Sequence, residues 1–120
     1  MRSVVRLIVV AGLVAALGGL AYGAEVQGIL LDRMCSMKIV ADKDQNAARA
    51  HGRDCLLMSD CVKAGYGVFT ADGKFIVFDA AGNQKAEEAV KASKKKDDIK
   101  VQVTGEQSGD TIKVASIKIL

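Results

Sequence analysis

The chain has 120 residues, 17 of them basic and 14 acidic, which gives a formal net charge of +3 at pH 7. Arg2 and Arg6 lie in an N-terminal segment that we expect to be removed, and without them 15 basic residues face 14 acidic ones, a net charge of +1. The 96 residues that remain suffice for one small domain, and a charge so near neutrality gives no reason to expect a nucleic-acid partner.

The first 24 residues have the layout of a secretory signal peptide. Arg2 and Arg6 form a positive head, an uninterrupted apolar run follows, and small residues close the segment. The alternative is an uncleaved membrane anchor, because residues 7–24 are just long enough to span a bilayer. No positive stop-transfer cluster follows, and the next residue is acidic. We therefore predict cleavage and a periplasmic or secreted domain, residues 25–120, without membrane attachment.

The next segments indicate a strand, an irregular insert and a hairpin. Residues 26–32, VQGILLD, form a short apolar run suited to a first strand, and the long irregular segment 33–65 contains all three cysteines. In GVFTADGKFIVFD, residues 67–79, two β-branched and aromatic runs flank Asp72 and Gly73. An Asp-Gly pair in this setting predicts a hairpin with a tight two-residue turn.

A helix and a second hairpin complete the chain. NQKAEEAVKASKKK, residues 83–96, predicts a helix with Asn83 as its N-cap, because glutamates lie early and lysines late. Apolar and polar residues then alternate in IKVQVT, and a polar turn follows at residues 106–110. The last strand changes its apolar parity near Ala115 and Ser116, which predicts a bulge or a bend.

The order strand, insert, strand, strand, helix, strand, strand is that of an OB fold. We predict a mainly β fold with helices, an OB-like five-stranded antiparallel barrel. A helical, cysteine-containing insert (33–65) lies between strands 1 and 2, and a helix lies between strands 3 and 4. The alternative is an open antiparallel sheet with a helix on one face. The barrel is favoured because closure removes exposed sheet edges.

Three segments together resemble a group of small exported bacterial proteins with OB-like domains. They are the tail VQVTGEQSGDTIKVASIKI, the phrase GYGVFTADGKFIVFDAAGN and the cysteine-containing insert. The resemblance extends over nearly all of residues 25–120. It implies the OB-like fold and export, and it implies no mechanism, because the group is of uncharacterised function.

In an oxidising periplasm three cysteines permit one disulfide and leave one thiol. A bond between Cys55 and Cys61 requires a break in any helix that joins them, because six helical residues turn the second side chain about 240° away from the first. A bond from Cys35 to either of them needs no break. It closes a loop of roughly twenty residues or more, which corresponds to about 3 kcal/mol. We predict one stabilising disulfide among these three residues.

The alternative for the same segment is a soft-metal site. If residues 51–58 are helical, an imidazole, a thiolate and a thioether share one face at positions i, i+4 and i+7, a set that suits copper(I), or zinc if the other cysteines join. The candidate ligands are Cys35, His51, Cys55, Met58 and Cys61, with the thioethers of Met34 and Met37 beside Cys35. A third hypothesis is thiol chemistry at a single unpaired cysteine, although the closely spaced pair of redox motifs is missing.

No catalytic site is predicted. His51 is the only histidine, and no serine lies in a nucleophile context, so a Ser–His hydrolase is excluded. The carboxylates around the insert, Asp32 among them, are assigned to capping and solvation. Tyr66, between two glycines, is a candidate to line a ligand groove, and the alternative is that it packs on the insert. We predict a non-enzymatic domain with a structural or ligand-binding role, a small ligand or a protein as partner, and no cofactor unless the metal hypothesis holds.

Overall fold

The computed structural model describes residues 22–120, whose strands close into one barrel. In chain order the elements are β1 (Tyr22–Asp32), α1 (Met37–Ala41), α2 (Gln45–Ala50), α3 (Arg53–Leu56), α4 (Ser59–Ala64), β2 (Tyr66–Phe69), β3 (Phe75–Phe78), α5 (Ala80–Ala92), β4 (Lys100–Ser108) and β5 (Thr111–Ile119). Residues 1–21 of the predicted signal peptide lie outside this part, and cleavage stays a prediction. Within the described part, no helix combines the length and hydrophobicity needed to cross a membrane.

The strands follow the barrel order β1-β2-β3-β5-β4, which confirms the OB-like barrel and its helical insert between β1 and β2. Neighbouring strands pair antiparallel except for β3 and β5, which run parallel through two residue pairs, Val77 with Thr111 and Phe78 with Ile112. The barrel is therefore mixed and not wholly antiparallel. The long crossover through α5 and β4 accounts for this difference, since parallel strands need such a connection.

Both predicted hairpins are present, and each turn differs slightly from its prediction. The amide of Thr70 donates to the carbonyl oxygen of Lys74 at 2.9 Å, so three residues form the tip of the first hairpin and not two. Gly73 supplies the positive φ of +84° that this tip requires. In the second hairpin the register shifts opposite Gly105 and leaves Ala115 as the extra residue, which confirms the predicted bulge.

The N-cap of helix α5 is Asp79 and not Asn83, so the helix begins four residues before its predicted start. Oδ1 of Asp79 accepts from the amides of Gly82 at 3.0 Å and Val114 at 3.1 Å, so one carboxylate caps the helix and holds β5. Asn83 lies inside the helix, and its side chain accepts instead from the amide of Tyr66 at 2.9 Å. The helix ends at Ala92, whereas the predicted helix extended to residue 96, so Lys94, Lys95 and Lys96 lie beyond its end.

The last four residues of β1, 29–32, are buried on both faces of the strand, which explains the apolar run at residues 29–31. Leu30 belongs to the core inside the barrel, while Ile29 and Leu31 face the opposite way and pack with Phe69 beneath the insert. Because side chains alternate along a strand, Asp32 shares the side of Leu30. The strand thus carries a carboxylate into the end of the barrel, where it is fully buried.

Candidate functional site

The two ends of the insert lie side by side. Asp32 at the end of β1 pairs with Tyr66 at the start of β2, and the amide of Arg33 donates to the carbonyl oxygen of Gly65 at 2.9 Å. Cys35 lies just after the first end, and Cys61 lies on α4 just before the second. We call this place, residues 32–35 and 61–66, the neck of the insert.

Cys35 and Cys61 meet across the neck. Their Sγ atoms are 3.4 Å apart, which is van der Waals contact and not a covalent bond, and both are free thiols in this structure. The two side chains differ in access, since Cys35 is exposed and Cys61 is fully buried. The structure therefore selects one of the three possible cysteine pairs as neighbours and makes that pair asymmetric.

Asp32 organises the loop that carries Cys35. Its Oδ2 atom accepts from the amides of Met34 at 3.0 Å and Cys35 at 2.6 Å. Its Oδ1 atom accepts from the hydroxyl of Ser36 at 3.1 Å and is paired with Nε2 of His51 at 2.6 Å. Four partners thus fill the hydrogen-bonding capacity of a carboxylate that has no contact with solvent.

These contacts keep Asp32 ionised. Burial by itself raises the pKa of a carboxyl group, but here hydrogen bonds from His51 and from the amides of Cys35 and Met34 outweigh it. The pKa of Asp32 consequently lies well below its ordinary range. A negative charge is therefore fixed at the neck throughout the neutral pH range.

Cys61 has the opposite electrostatic character. Burial, the contact with Cys35 and the charge of Asp32 together raise the pKa of the Cys61 thiol to about 12. The neutral thiol is therefore the form favoured at neutral pH. Cys61 is a buried thiol that stays protonated unless it is oxidised or bound to a metal ion.

Residues 51–58 do not form one continuous helix, so the condition for placing His51, Cys55 and Met58 on one helical face is not met. Helix α2 ends at Ala50 with His51 as its C-cap, and Met58 is the N-cap of α4. The chain is extended at His51 and Gly52. Position 52 needs a glycine, because a Cβ atom there would lie 2.2 Å from the carbonyl oxygen of Lys96, in the segment between α5 and β4. His51 is consequently free to turn its ring toward Asp32.

Only part of the predicted ligand set comes together. Among residues 22–120, the side chains with metal-ligating atoms within 4.8 Å of one another are Asp32, Cys35 and Cys61. His51 contacts this group through Asp32, while Cys55 is half-buried on α3. Three methionines of the insert are exposed, namely Met34, Met37 and Met58.

Tyr66 does not line a surface groove. It is fully buried in the barrel core, and its hydroxyl donates to the carbonyl oxygen of Leu56 at 2.6 Å. Burial, followed by the nearby negative charge of Glu87, raises the pKa of Tyr66 to about 12. The ring ties the insert to the barrel, as in the alternative prediction.

The residue that sequence reasoning undervalued is Asp32. It was assigned with other carboxylates to capping and solvation, yet it makes the densest set of polar contacts at the neck. Two signals point to it. It has the strand parity of the core residue Leu30, and it is followed by Met34, Cys35 and Ser36, the spacing at which an aspartate binds the backbone and side chains of its own turn.

A groove opens beside the neck, between α1 and the outer face of β3. Its volume is about 480 Å³. The lining is mainly apolar, from Met37, Val40, Ala41, Phe75 and Val77, with Asp32, Arg33 and Ser36 as its polar members. The groove is therefore a concave surface with one cationic side chain, adjacent to the thiol pair.

No protein-family model, curated protein or solved structure matches this chain. Its function therefore has to be inferred from the chemistry of the residues themselves.

Proposed function

We propose that the protein is an exported, non-enzymatic OB-like domain with a structural or ligand-binding role in the periplasm, and that a disulfide between Cys35 and Cys61 closes the neck of its insert. The observation that carries this proposal is the 3.4 Å contact between the two Sγ atoms. A disulfide has an S–S distance of about 2.05 Å, so the two sulfurs must move closer together to bond.

The energetic reason for a bond at this place is the size of the loop that it closes. Cys35 and Cys61 are 26 positions apart. The chain-entropy relation for a loop of this size corresponds to about 3.5 kcal/mol at 25 °C. Small domains have total stabilities of about 5–15 kcal/mol, so the bond would supply a substantial share. The insert consists of short helices of four to six residues, which have little stability of their own.

The groove beside the neck supports the ligand-binding part of the proposal. Pockets that hold small molecules are concave, mostly apolar and equipped with few polar groups. Met37 on α1 and Phe75 on β3 line it from opposite sides, and Arg33 supplies a charge. These features fit a small apolar ligand that carries a negative group. A disulfide at the neck would hold α1, one wall of the groove, close to the barrel.

The test is the thiol inventory of protein exported to the periplasm and purified without reductant. We expect one alkylatable thiol, on Cys55, and a proteolytic peptide in which Cys35 and Cys61 are joined. Cys55→Ser should leave that peptide unchanged, whereas Cys61→Ser should abolish it. A native protein with three alkylatable thiols and no bound metal would refute the disulfide.

A second candidate function, soft-metal binding, is favoured by the same three residues. Two thiolates and a carboxylate oxygen within 4.8 Å of one another suit zinc, or copper(I) at the two sulfurs. It ranks second because Asp32 already accepts four hydrogen bonds, so it could ligate an ion only by releasing one of its partners. Stoichiometric zinc or copper in the exported protein, with three alkylatable thiols after chelation, would establish this candidate in place of the disulfide.

A further inference from the structure

The thiol pair at the neck is accessible from one side only. Cys35 lies on the exposed loop after β1, whereas the exposed fraction of Cys61 is 0%. A reagent in solution can therefore approach the sulfur of Cys35, while the sulfur of Cys61 is covered by the insert and by Cys35 itself. With an Sγ–Sγ distance of 3.4 Å, whatever attaches to Cys35 lies directly beside the second thiol.

The charge of Asp32 acts on the buried sulfur of Cys61. Asp32 lies within 4.8 Å of both sulfurs. Its contact with His51 stabilises the ionised carboxylate, which has no proton to donate to either sulfur. The backbone amide of Cys35 points at Asp32, so the loop binds that carboxylate through its backbone. At Cys61 the carboxylate faces a buried thiol, and the charge opposes formation of a second anion there.

We propose that the neck is a thiol–disulfide exchange site that works in a fixed order, in which Cys35 exchanges with an external disulfide and Cys61 resolves the mixed product. The substrate class is a low-molecular-weight disulfide such as oxidised glutathione, or an exposed protein disulfide. The inference deepens the proposed function and rests on it, because it describes how the Cys35–Cys61 bond forms and opens.

The two steps balance as follows. The thiolate of Cys35 attacks one sulfur of the external disulfide, forms a mixed disulfide and releases one thiolate, which takes up the proton that Cys35 lost. The sulfur of Cys61 then attacks the sulfur of Cys35 and releases the second small thiol, which takes up the proton of Cys61. One external disulfide is reduced to two thiols, and the protein is oxidised by two electrons.

The buried position of Cys61 does not prevent the second step. Its thiolate is scarce, but the two sulfurs are already in contact, and an intramolecular reaction between oriented groups gains effective concentrations far above those of solution reagents. The same features make the closed bond persistent. An incoming thiolate reaches only Cys35 and must expel Cys61, and a thiol of high pKa leaves slowly.

Asp32 is a positioning residue in this scheme. It orients the Cys35 loop through two backbone amides, and its charge adds to burial and to the contact with Cys35 in raising the pKa of Cys61. These two roles separate experimentally. Asp32→Asn removes the charge, whereas Ser36→Ala removes one hydrogen bond to the carboxylate and leaves its charge in place.

The experiment uses fully reduced protein in a Cys55→Ser background and oxidised glutathione as the probe, with acid quenching and intact mass. The Cys61→Ser variant should accumulate one glutathione on Cys35, because the resolving thiol is missing. The Cys35→Ser variant should acquire glutathione on Cys61 more than about tenfold more slowly than the Cys61→Ser variant acquires it on Cys35, because the remaining thiol is fully buried. Cys61→Ala replaces Cys61→Ser where serine destabilises the buried position.

The role of Asp32 is read from the pH profile of Cys61 alkylation in the Cys35→Ser, Cys55→Ser protein. Adding Asp32→Asn should move this profile to lower pH, and adding Ser36→Ala should leave it in place. Glutathione on Cys61 at a rate like that of Cys35 would overturn the proposed order, and a profile unmoved by Asp32→Asn would overturn the role of Asp32. Exported protein without the Cys35–Cys61 bond would refute the proposed function instead, so the two failures are distinguishable.

Discussion

Reduction of the proposed Cys35–Cys61 bond should lower the free energy of unfolding by about 3.5 kcal/mol without changing the fold. The magnitude follows from the 26-residue separation of the two cysteines, because the bond restricts the unfolded chain. The native state should tolerate its loss. Asp32 remains paired with Tyr66, and Arg33 remains bonded to Gly65, so the neck stays closed without the sulfur bridge.

The measurement is urea unfolding of the same wild-type protein, oxidised and fully reduced, followed by far-UV circular dichroism. Comparing two redox states of one sequence avoids placing a serine in the buried site of Cys61. For a domain of about 100 residues, 1 kcal/mol corresponds to about 4–8 °C, so the melting temperature should fall by roughly 15 °C or more on reduction. Cys55→Ser is the matched control, and it should retain the full difference between its oxidised and reduced forms.

Two results would refute this reasoning. Oxidised and reduced proteins of equal stability would mean that no bond closes the 33–65 insert. Loss of the difference in Cys55→Ser would mean that Cys55, and not the contacting pair, forms the disulfide.

Three further predictions concern other parts of the domain. Asp32→Asn should cost roughly 2–4 kcal/mol in urea unfolding at pH 7, because it removes a buried, fully bonded charge. The pKa of Asp32 is lower in the folded protein than in the unfolded chain. Its contribution to the free energy of unfolding is therefore fully present above the unfolded pKa near 4 and is lost as the pH falls toward the folded pKa. The wild type should therefore lose stability below about pH 4 more steeply than the variant, and parallel pH profiles would contradict the assignment. Gly105→Ala should destabilise the protein by roughly 1–3 kcal/mol in thermal unfolding, because the added Cβ would lie 2.0 Å from a carbonyl oxygen of β5. Gly23→Ala is the control and should be close to neutral, because no atom lies within 4 Å of its added Cβ. Equal effects of the two substitutions would be inconsistent with a closely packed bulge. Met37→Glu should weaken binding of an anionic apolar dye such as ANS several-fold in a fluorescence titration, because Met37 lines the groove. Met58 is also exposed but does not line the groove, so Met58→Glu should not weaken binding. Equal loss in both variants would argue against the groove as the ligand site.

The barrel could be predicted from the chain because its signals are local. The alternation in β4, the parity change at Ala115 and the Asp72–Gly73 hairpin each depend on a few consecutive residues, and each recurs in the structure. The predicted start of α5 was less accurate, because it depends on a contact between residues distant in sequence. Asn83 is a good N-cap by composition, but a contact with Tyr66, distant in sequence, uses its side chain instead.

The amino-acid order alone determined the strands, their sequence along the chain and the presence of three cysteines in one long insert, because those features rest on short-range periodicity and composition. Which sulfurs meet was decided only by tertiary structure, since the pairing of Asp32 with Tyr66 brings Cys35 to Cys61 across 26 residues. The burial of Asp32 and its contact with His51 have the same origin. Asp32 and His51 are 19 positions apart, so no local pattern in the chain records their contact.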